Sequence, residues 1–194
     1  MSHFKLSRSS GFQSSGPEYC LYFQINADGT SGYVPAILQQ NGPFQIIDES
    51  DYGTLLAAVR YDGTILEGVK NPTQEMCLEA VKQNWDAIKW IKNPTQEMCL
   101  EAVKQNVRAI GWIKNRTQEM WLEAVRKNGK LLSCVKDQTV EMVLIAVKQN
   151  WLALQWAKIS TPEIDLIAVK KDGMILKFVK NQTFEICLEA VKNS

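Results

Sequence analysis

Histidine is almost missing from this 194-residue sequence, and its one copy, His3, lies in a polar N-terminal stretch. That excludes most imidazole acid–base catalysis, Ser–His–Asp triads and histidine-ligated zinc before any motif is sought. An excess of charge of one sign is lacking too. Lys and Arg number 22 and Asp and Glu 21, so no global field draws the chain to nucleic acid or to an anionic membrane. There is no run of about 18 apolar residues and no apolar stretch of the signal-peptide kind, which reads as an intracellular protein, neither secreted nor membrane-bound. The five cysteines (Cys20, Cys77, Cys99, Cys134, Cys187) are an odd number without a secretory signal, a pattern of reduced thiols. Walker A, G-x-G-x-x-G and G-x-S-x-G motifs are missing as well. The expectation is a protein that is not an enzyme, with no catalytic residues, no metal and no cofactor.

What the sequence does have is a strict internal period of 22 residues. Units start at Glu49, Asn71, Asn93, Asn115, Asp137, Ile159 and Asn181, giving six full units, the first degenerate, and one truncated unit; Asn71 to Asn84 recurs unchanged at Asn93 to Asn106. Position three is Thr73, Thr95, Thr117, Thr139, Thr161 or Thr183, with Asp51 in the first unit, and Glu follows two residues later in the other six. A hydroxyl or carboxylate there accepts from the free N–H groups of a first helical turn, and the glutamate suits the positive end of the helix dipole. Apolar residues at positions six, seven, eight, ten and eleven make one helical stripe, as in Met76, Cys77, Leu78, Ala80 and Val81. Asn or Asp closes the helix at position fourteen, and Gly63, Gly129 and Gly173 follow it as expected left-handed C-caps. A second segment of about eight residues, such as WDAIKWIK, is at most a two-turn helix. Such a pair cannot bury its apolar face alone, so the expected fold is mainly α, an α-solenoid of two-helix repeats over residues 49–194.

Ahead of the repeats, residues 1–18 read as a flexible arm and residues 19–48 as a three-stranded antiparallel β meander that caps the first repeat. The meander rests on the alternation in YCLYFQI, the turn cluster NADGTSG, the segment YVPAILQ, and Asn41-Gly42 before PFQII. Asn26 to Thr30 matches a hairpin turn better than a calcium loop, because Ile37 stands where a bidentate Glu is needed.

The unit pattern N-x-T-x-E-x-C-L-x-A-V-K-x-N, clearest in NPTQEMCLEAVKQN and NQTFEICLEAVKNS, resembles a short α-helical repeat family of unknown function abundant in giant DNA viruses of amoebae. The resemblance covers about 145 residues and departs at Trp121 and Asp165, in the Cys position, and at Ile145 and Ile167, in the Glu position. It implies a viral α-helical repeat protein of the host cytoplasm or virion, and no activity to carry over.

Two features bear on partners. Positions nine and sixteen are charged in three successive units (Glu79, Asp86, Glu101, Arg108, Glu123, Lys130), then become Ile145, Leu152, Ile167 and Met174, with Trp151 beside them. Contiguous exposed apolar area marks an interface, so these five residues are the expected site for a protein partner, host or viral. Asp165 at a core-like position offers the alternative that the helices of these units are rotated. The second feature is a pair of basic rows: position twelve (Arg60, Lys82, Lys104, Arg126, Lys148, Lys170, Lys192) and the lysines at position twenty-two together hold thirteen of the 22 basic residues. Lys82, Lys104, Arg126, Lys148 and Lys170 form a competing polyanion site for nucleic acid, with the aromatics of position twenty (Trp90, Trp112, Trp156, Phe178) as stacking partners. Against it, Glu79, Glu101, Glu123 and Glu189 sit three residues before a base on the same ridge. A third reading is a structural virion component or homo-oligomer joined through the C-terminal end, where no cap follows Val191.

Overall fold

The structure, a computed structural model, describes residues 18–25, 31–38, 45–48 and 50–194. The expected arm before Glu18 and the two expected turns, at 26–30 and 39–44, lie outside the described residues. The chain is mainly helical. It divides into two compact units that part between Trp112 and Ile113.

The first unit begins with three strands, β1 (Glu18–Ile25), β2 (Ser31–Leu38) and β3 (Gln45–Ile46). β2 pairs antiparallel with both neighbours, Ala36 lying opposite Cys20 on one side and Ile46 on the other. Then long and short helices alternate: α1 (Tyr52–Tyr61), the 3-10 helix η1 (Gly63–Gly68), α2 (Gln74–Gln83), η2 (Trp85–Trp90), α3 (Gln96–Gln105) and η3 (Val107–Gly111). β1 packs on α1, and both β1 and β2 pack on η1. The second unit holds α4 (Gln118–Lys127), η4 (Gly129–Cys134), α5 (Val140–Gln149), η5 (Trp151–Trp156), α6 (Pro162–Val169), η6 (Gly173–Phe178) and α7 (Phe184–Lys192). Within each unit every α-helix packs on the next.

The long helices start where their caps dictate. The Thr73 hydroxyl accepts from the Met76 N–H at 3.2 Å, and Thr95, Thr117, Thr139, Thr161 and Thr183 repeat the bond at 3.2 to 3.3 Å. Asp51 does the same for Thr54 at 3.0 Å, and Pro162 supplies the first residue of α6, where a missing N–H costs nothing. Positions six and ten, Met76 and Ala80 or Met142 and Ala146, are buried in α2 to α7, while in α1 position six is the half-buried Thr54. Alanine fills position ten in all seven helices, and in α1 to α6 it is fully buried.

The helix ends differ from the expected left-handed caps. Asp62, Asn84, Asn106, Asn128, Asn150 and Asp172 are extended, with φ between −143° and −161°. Each side chain instead accepts from the N–H two residues on, Asn84 from Asp86 at 3.0 Å for example, and so caps the following 3-10 helix. The glycines next to them serve close approach, not positive φ. A Cβ on Gly63 would stand 2.5 Å from the Ala80 carbonyl oxygen of the next helix, one on Gly129 would stand 3.1 Å from the Ala146 Cα, and one on Gly173 would run into the Ala190 carbonyl. The alanine row and these glycines are therefore two sides of one contact, in which the start of a short helix rests on the backbone of the following long one.

Asp165 does not rotate its helix. It is 3% exposed in the position-seven slot, its carboxylate accepts from the Ser160 hydroxyl at 2.6 Å, and Ile164, Ala168 and Val169 keep the core phase of the other units.

Replacing Gly63 with alanine should lower the free energy of unfolding by about 1 to 3 kcal/mol, because the added methyl meets backbone and not a side chain that can swing away. At Gly111 a Cβ meets nothing within 4 Å. There the same replacement should be neutral or stabilising by about 0.4 to 1 kcal/mol, and urea unfolding of the two variants measures the contrast.

Candidate functional site

The sequence-predicted apolar residues fall on consecutive elements of the second unit. Ile145 is on α5, Trp151 and Leu152 open η5, Ile167 is on α6 and Met174 is on η6; α5 packs on α6, and η5 on η6. Their exposures differ. Met174 is 67% exposed and Leu152 39%, whereas Ile145, Trp151 and Ile167 are half-buried and pack on the core around Ala146, Ile164 and Ala168. Position nine is a shoulder of the helix in other units too: the Glu79, Glu123 and Glu189 side chains are only about a quarter exposed. An isoleucine there adds to the core and still leaves an apolar edge.

The basic rows are drawn in part into local structure. Arg60 pairs with Glu75 at 3.3 Å and Glu79 at 3.1 Å, Lys82 with Glu79 at 3.1 Å, Arg126 with Glu141 at 2.9 Å and Lys192 with Glu189 at 3.8 Å. The Lys82 ammonium, with Arg60 beside it, holds the Glu79 carboxyl below its usual range. Lys104, Lys148 and Lys170 are exposed and have no ion pair among the described residues. In the position-twenty-two row, the Lys158 ammonium donates to the Val135 and Lys136 carbonyls at 3.1 and 2.8 Å, and Lys180 donates to the Lys158 carbonyl at 2.8 Å. These lysines terminate the short helices of the preceding repeat. Of the position-twenty aromatics, Trp112 and Phe178 are exposed and Trp90 and Trp156 half-buried; Lys89 sits 4.3 Å over the Trp90 ring and Lys177 5.1 Å over Phe178.

Sequence reasoning missed the glutamines of position thirteen. Gln83 accepts from the Gly63 N–H at 2.9 Å and donates to the Tyr61 carbonyl; Gln149 accepts from the Gly129 N–H at 2.8 Å and donates to the Val125 and Arg126 carbonyls at 3.1 and 2.6 Å. Each primary amide reaches back one repeat and satisfies both the end of one helix and the start of the next. Gln105 keeps the donor half, to Val81 and Lys82, opposite Trp85. The signal was a co-occurrence twenty residues apart: Gly63 with Gln83, and Gly129 with Gln149. Gly173 follows the same rule with backbone, its N–H donating to the Asn193 carbonyl at 2.9 Å.

No group of three or more His, Cys, Asp or Glu side chains is arranged to hold a metal among the described residues. Burial pushes the Cys77 and Cys99 thiols up from their ordinary pKa, while Cys134 is exposed. Among the described residues no helix is long and apolar enough to cross a membrane. Against this geometry the chain was compared with protein-family models, with curated proteins and with solved structures. None of the three finds a match.

Two measurements test the site chemistry. Gln149→Leu, which leaves the Gly129 N–H and two carbonyls without their partner, should cost about 1 to 3 kcal/mol in urea unfolding. Iodoacetamide applied to the folded protein should alkylate Cys134 well before Cys77 and Cys99, read by peptide mass spectrometry, because only the thiolate reacts and burial disfavours it.

Proposed function

We propose that the repeats are turns of an α-solenoid whose first turn is capped by the β1–β3 sheet as a meander, and that the protein is a non-enzymatic scaffold for a protein partner. The observation that carries this reading is the pair Leu152 and Met174, exposed side chains on packed neighbours η5 and η6. They stand where preceding units carry Asp86, Arg108 and Lys130, and Ile145, Trp151 and Ile167 flank them. An apolar edge of this kind recruits a partner because its burial releases water without removing a charge from solvent. The resemblance adds a giant-virus setting, with the partner a host or viral protein in the cytoplasm or the virion.

The polyanion reading keeps Lys104, Lys148 and Lys170 as exposed cations. Lys82 and Arg126 are already neutralised by Glu79 and Glu141, which weakens the row that a phosphate backbone would follow.

The test is recovery of bound protein by the wild type and by the Leu152→Glu, Met174→Glu double variant, with nuclease added to both. These exposed positions accept glutamate without loss of fold, whereas Ile145→Glu would also cost core packing. A protein held by the wild type should fall about tenfold or more in the variant, at unchanged helical circular dichroism. Equal recovery overturns the proposal, and recovery lost only to nuclease moves the site to the basic row.

A further inference from the structure

Ion pairs within single repeats show which side chains share the outer ridge. Lys82 at position twelve reaches Glu79 at position nine at 3.1 Å, Lys127 at position thirteen reaches Glu123 at position nine at 4.0 Å, and Lys89 at position nineteen reaches Asp86 at position sixteen at 2.5 Å. Lys192 and Glu189 repeat the first of these at 3.8 Å on α7. In the two repeats between α4 and α7 the bases stay and the acids are gone. Lys148 and Lys170 hold position twelve, Lys171 position thirteen and Lys177 position nineteen, while Ile145 and Ile167 fill position nine and Leu152 and Met174 position sixteen. All four lysines are exposed and none has an ion pair among the described residues; Lys177 lies over the Phe178 ring. The acids that remain between Val140 and Phe178 are Glu141, Glu163, Asp165 and Asp172. Glu141 is paired with Arg126, Asp165 is buried against Ser160, and Asp172 accepts from the Met174 N–H at 2.8 Å. Four exposed cations therefore face one exposed carboxylate, Glu163, around the apolar edge.

We propose that the partner of this surface is an acidic amphipathic protein segment. Its Asp and Glu side chains take the places that Glu79, Asp86 and Glu123 fill in the earlier repeats, and its apolar side chains cover Leu152 and Met174. The inference rests on the scaffold reading and adds the chemistry of the partner. Apolar burial at the centre supplies the affinity, and the lysines around it select the sign of the partner and speed its approach. The lysine stems extend the apolar contact, because their methylenes lie along the ridge while the ammonium groups stay in water. A neutral or basic segment would leave the four cations unmatched or repelled. A phosphate backbone would match them and set its charged oxygens against isoleucine, leucine and methionine, so nucleic acid would use only half of the surface.

The test is selection of displayed random peptides of about 15 residues, roughly four helical turns, on the folded full chain and on its Leu152→Glu, Met174→Glu variant. Peptides held by the wild type and lost from that variant should be enriched over the starting library in Asp and Glu as well as in Leu, Ile, Phe or Trp. A synthetic copy of one such peptide should bind about tenfold or more weakly to the Lys170→Glu, Lys171→Glu, Lys177→Glu variant at unchanged helical circular dichroism. Glutamate suits position nineteen, where the first repeat carries Glu67. Selection on that triple variant should turn toward peptides bearing Lys and Arg. Peptides that need Leu152 and Met174 but show no acidic enrichment overturn this inference and leave the scaffold reading in place. If no peptide depends on Leu152 and Met174, both fall. Tighter binding of a single-stranded DNA oligonucleotide, or of vesicles of equimolar phosphatidylcholine and phosphatidylserine, than of the peptide would assign the lysines to phosphate and overturn the inference as well.

Discussion

The contact on which the rest depends is the one between the first residue of a short helix and the invariant alanine of the next long helix. Alanine fills position ten of every long helix, and glycine at position fifteen brings the two backbones to contact distance at Gly63, Gly129 and Gly173. That proximity sets the depth at which Met, Val and Ile side chains interlock, and it delivers the position-thirteen amide to three backbone groups at once. Hydrogen bonds of this kind contribute about 0.5 to 1.5 kcal/mol each when formed and cost more when one partner is removed, so the seam works as a coupled set.

Much of this was written in the period. The threonine row, with Asp51 in the first unit, announced the start of every long helix, and Ala-Val at positions ten and eleven marked the core stripe, because caps and stripes are local and recur at fixed offsets. The helix ends were misread, since Asn-Gly after a helix ordinarily signals a left-handed cap, whereas here the asparagine or aspartate faces forward to the 3-10 helix and the glycine answers an atom twenty residues away. Asp165 was equally opaque: a carboxylate in a core slot suggests rotation until the Ser160 hydroxyl five residues earlier is seen to satisfy it. The candidate surface was half legible. Spacing places Ile145 and Ile167 on the outer ridge, but how deeply a shoulder position sinks depends on the tilt of the neighbouring helix, which no single-chain pattern encodes.

The lysine rows show how the same residue serves different physics at different phases. At position twenty-two the ammonium of Lys158 or Lys180 completes carbonyls of the repeat before it, a structural duty that takes two of the three donors of Lys158 and one of those of Lys180. At position twelve the cation stands on an exposed ridge and is matched by glutamate in some units, as with Arg60, Lys82 and Arg126, and not in others, as with Lys104, which has Glu101 three residues before it. Interleaving of sign, more than the count of bases, decides the field that a partner feels.

The Gln149 amide also has a kinetic meaning. Its bonds, like those of Gln83, Gln105, Lys158 and Lys180, join residues 20 to 24 apart in the chain, and the pairing of β1 with β2 spans no more than 20. Within each unit the chain therefore meets its partners soon after leaving them, a low contact order that favours fast folding by addition of one repeat to another. It also makes the repeat a module for growth: excising residues 71–92 would join Lys70 to Asn93 and reproduce a Lys-Asn-Pro-Thr junction that the chain already contains.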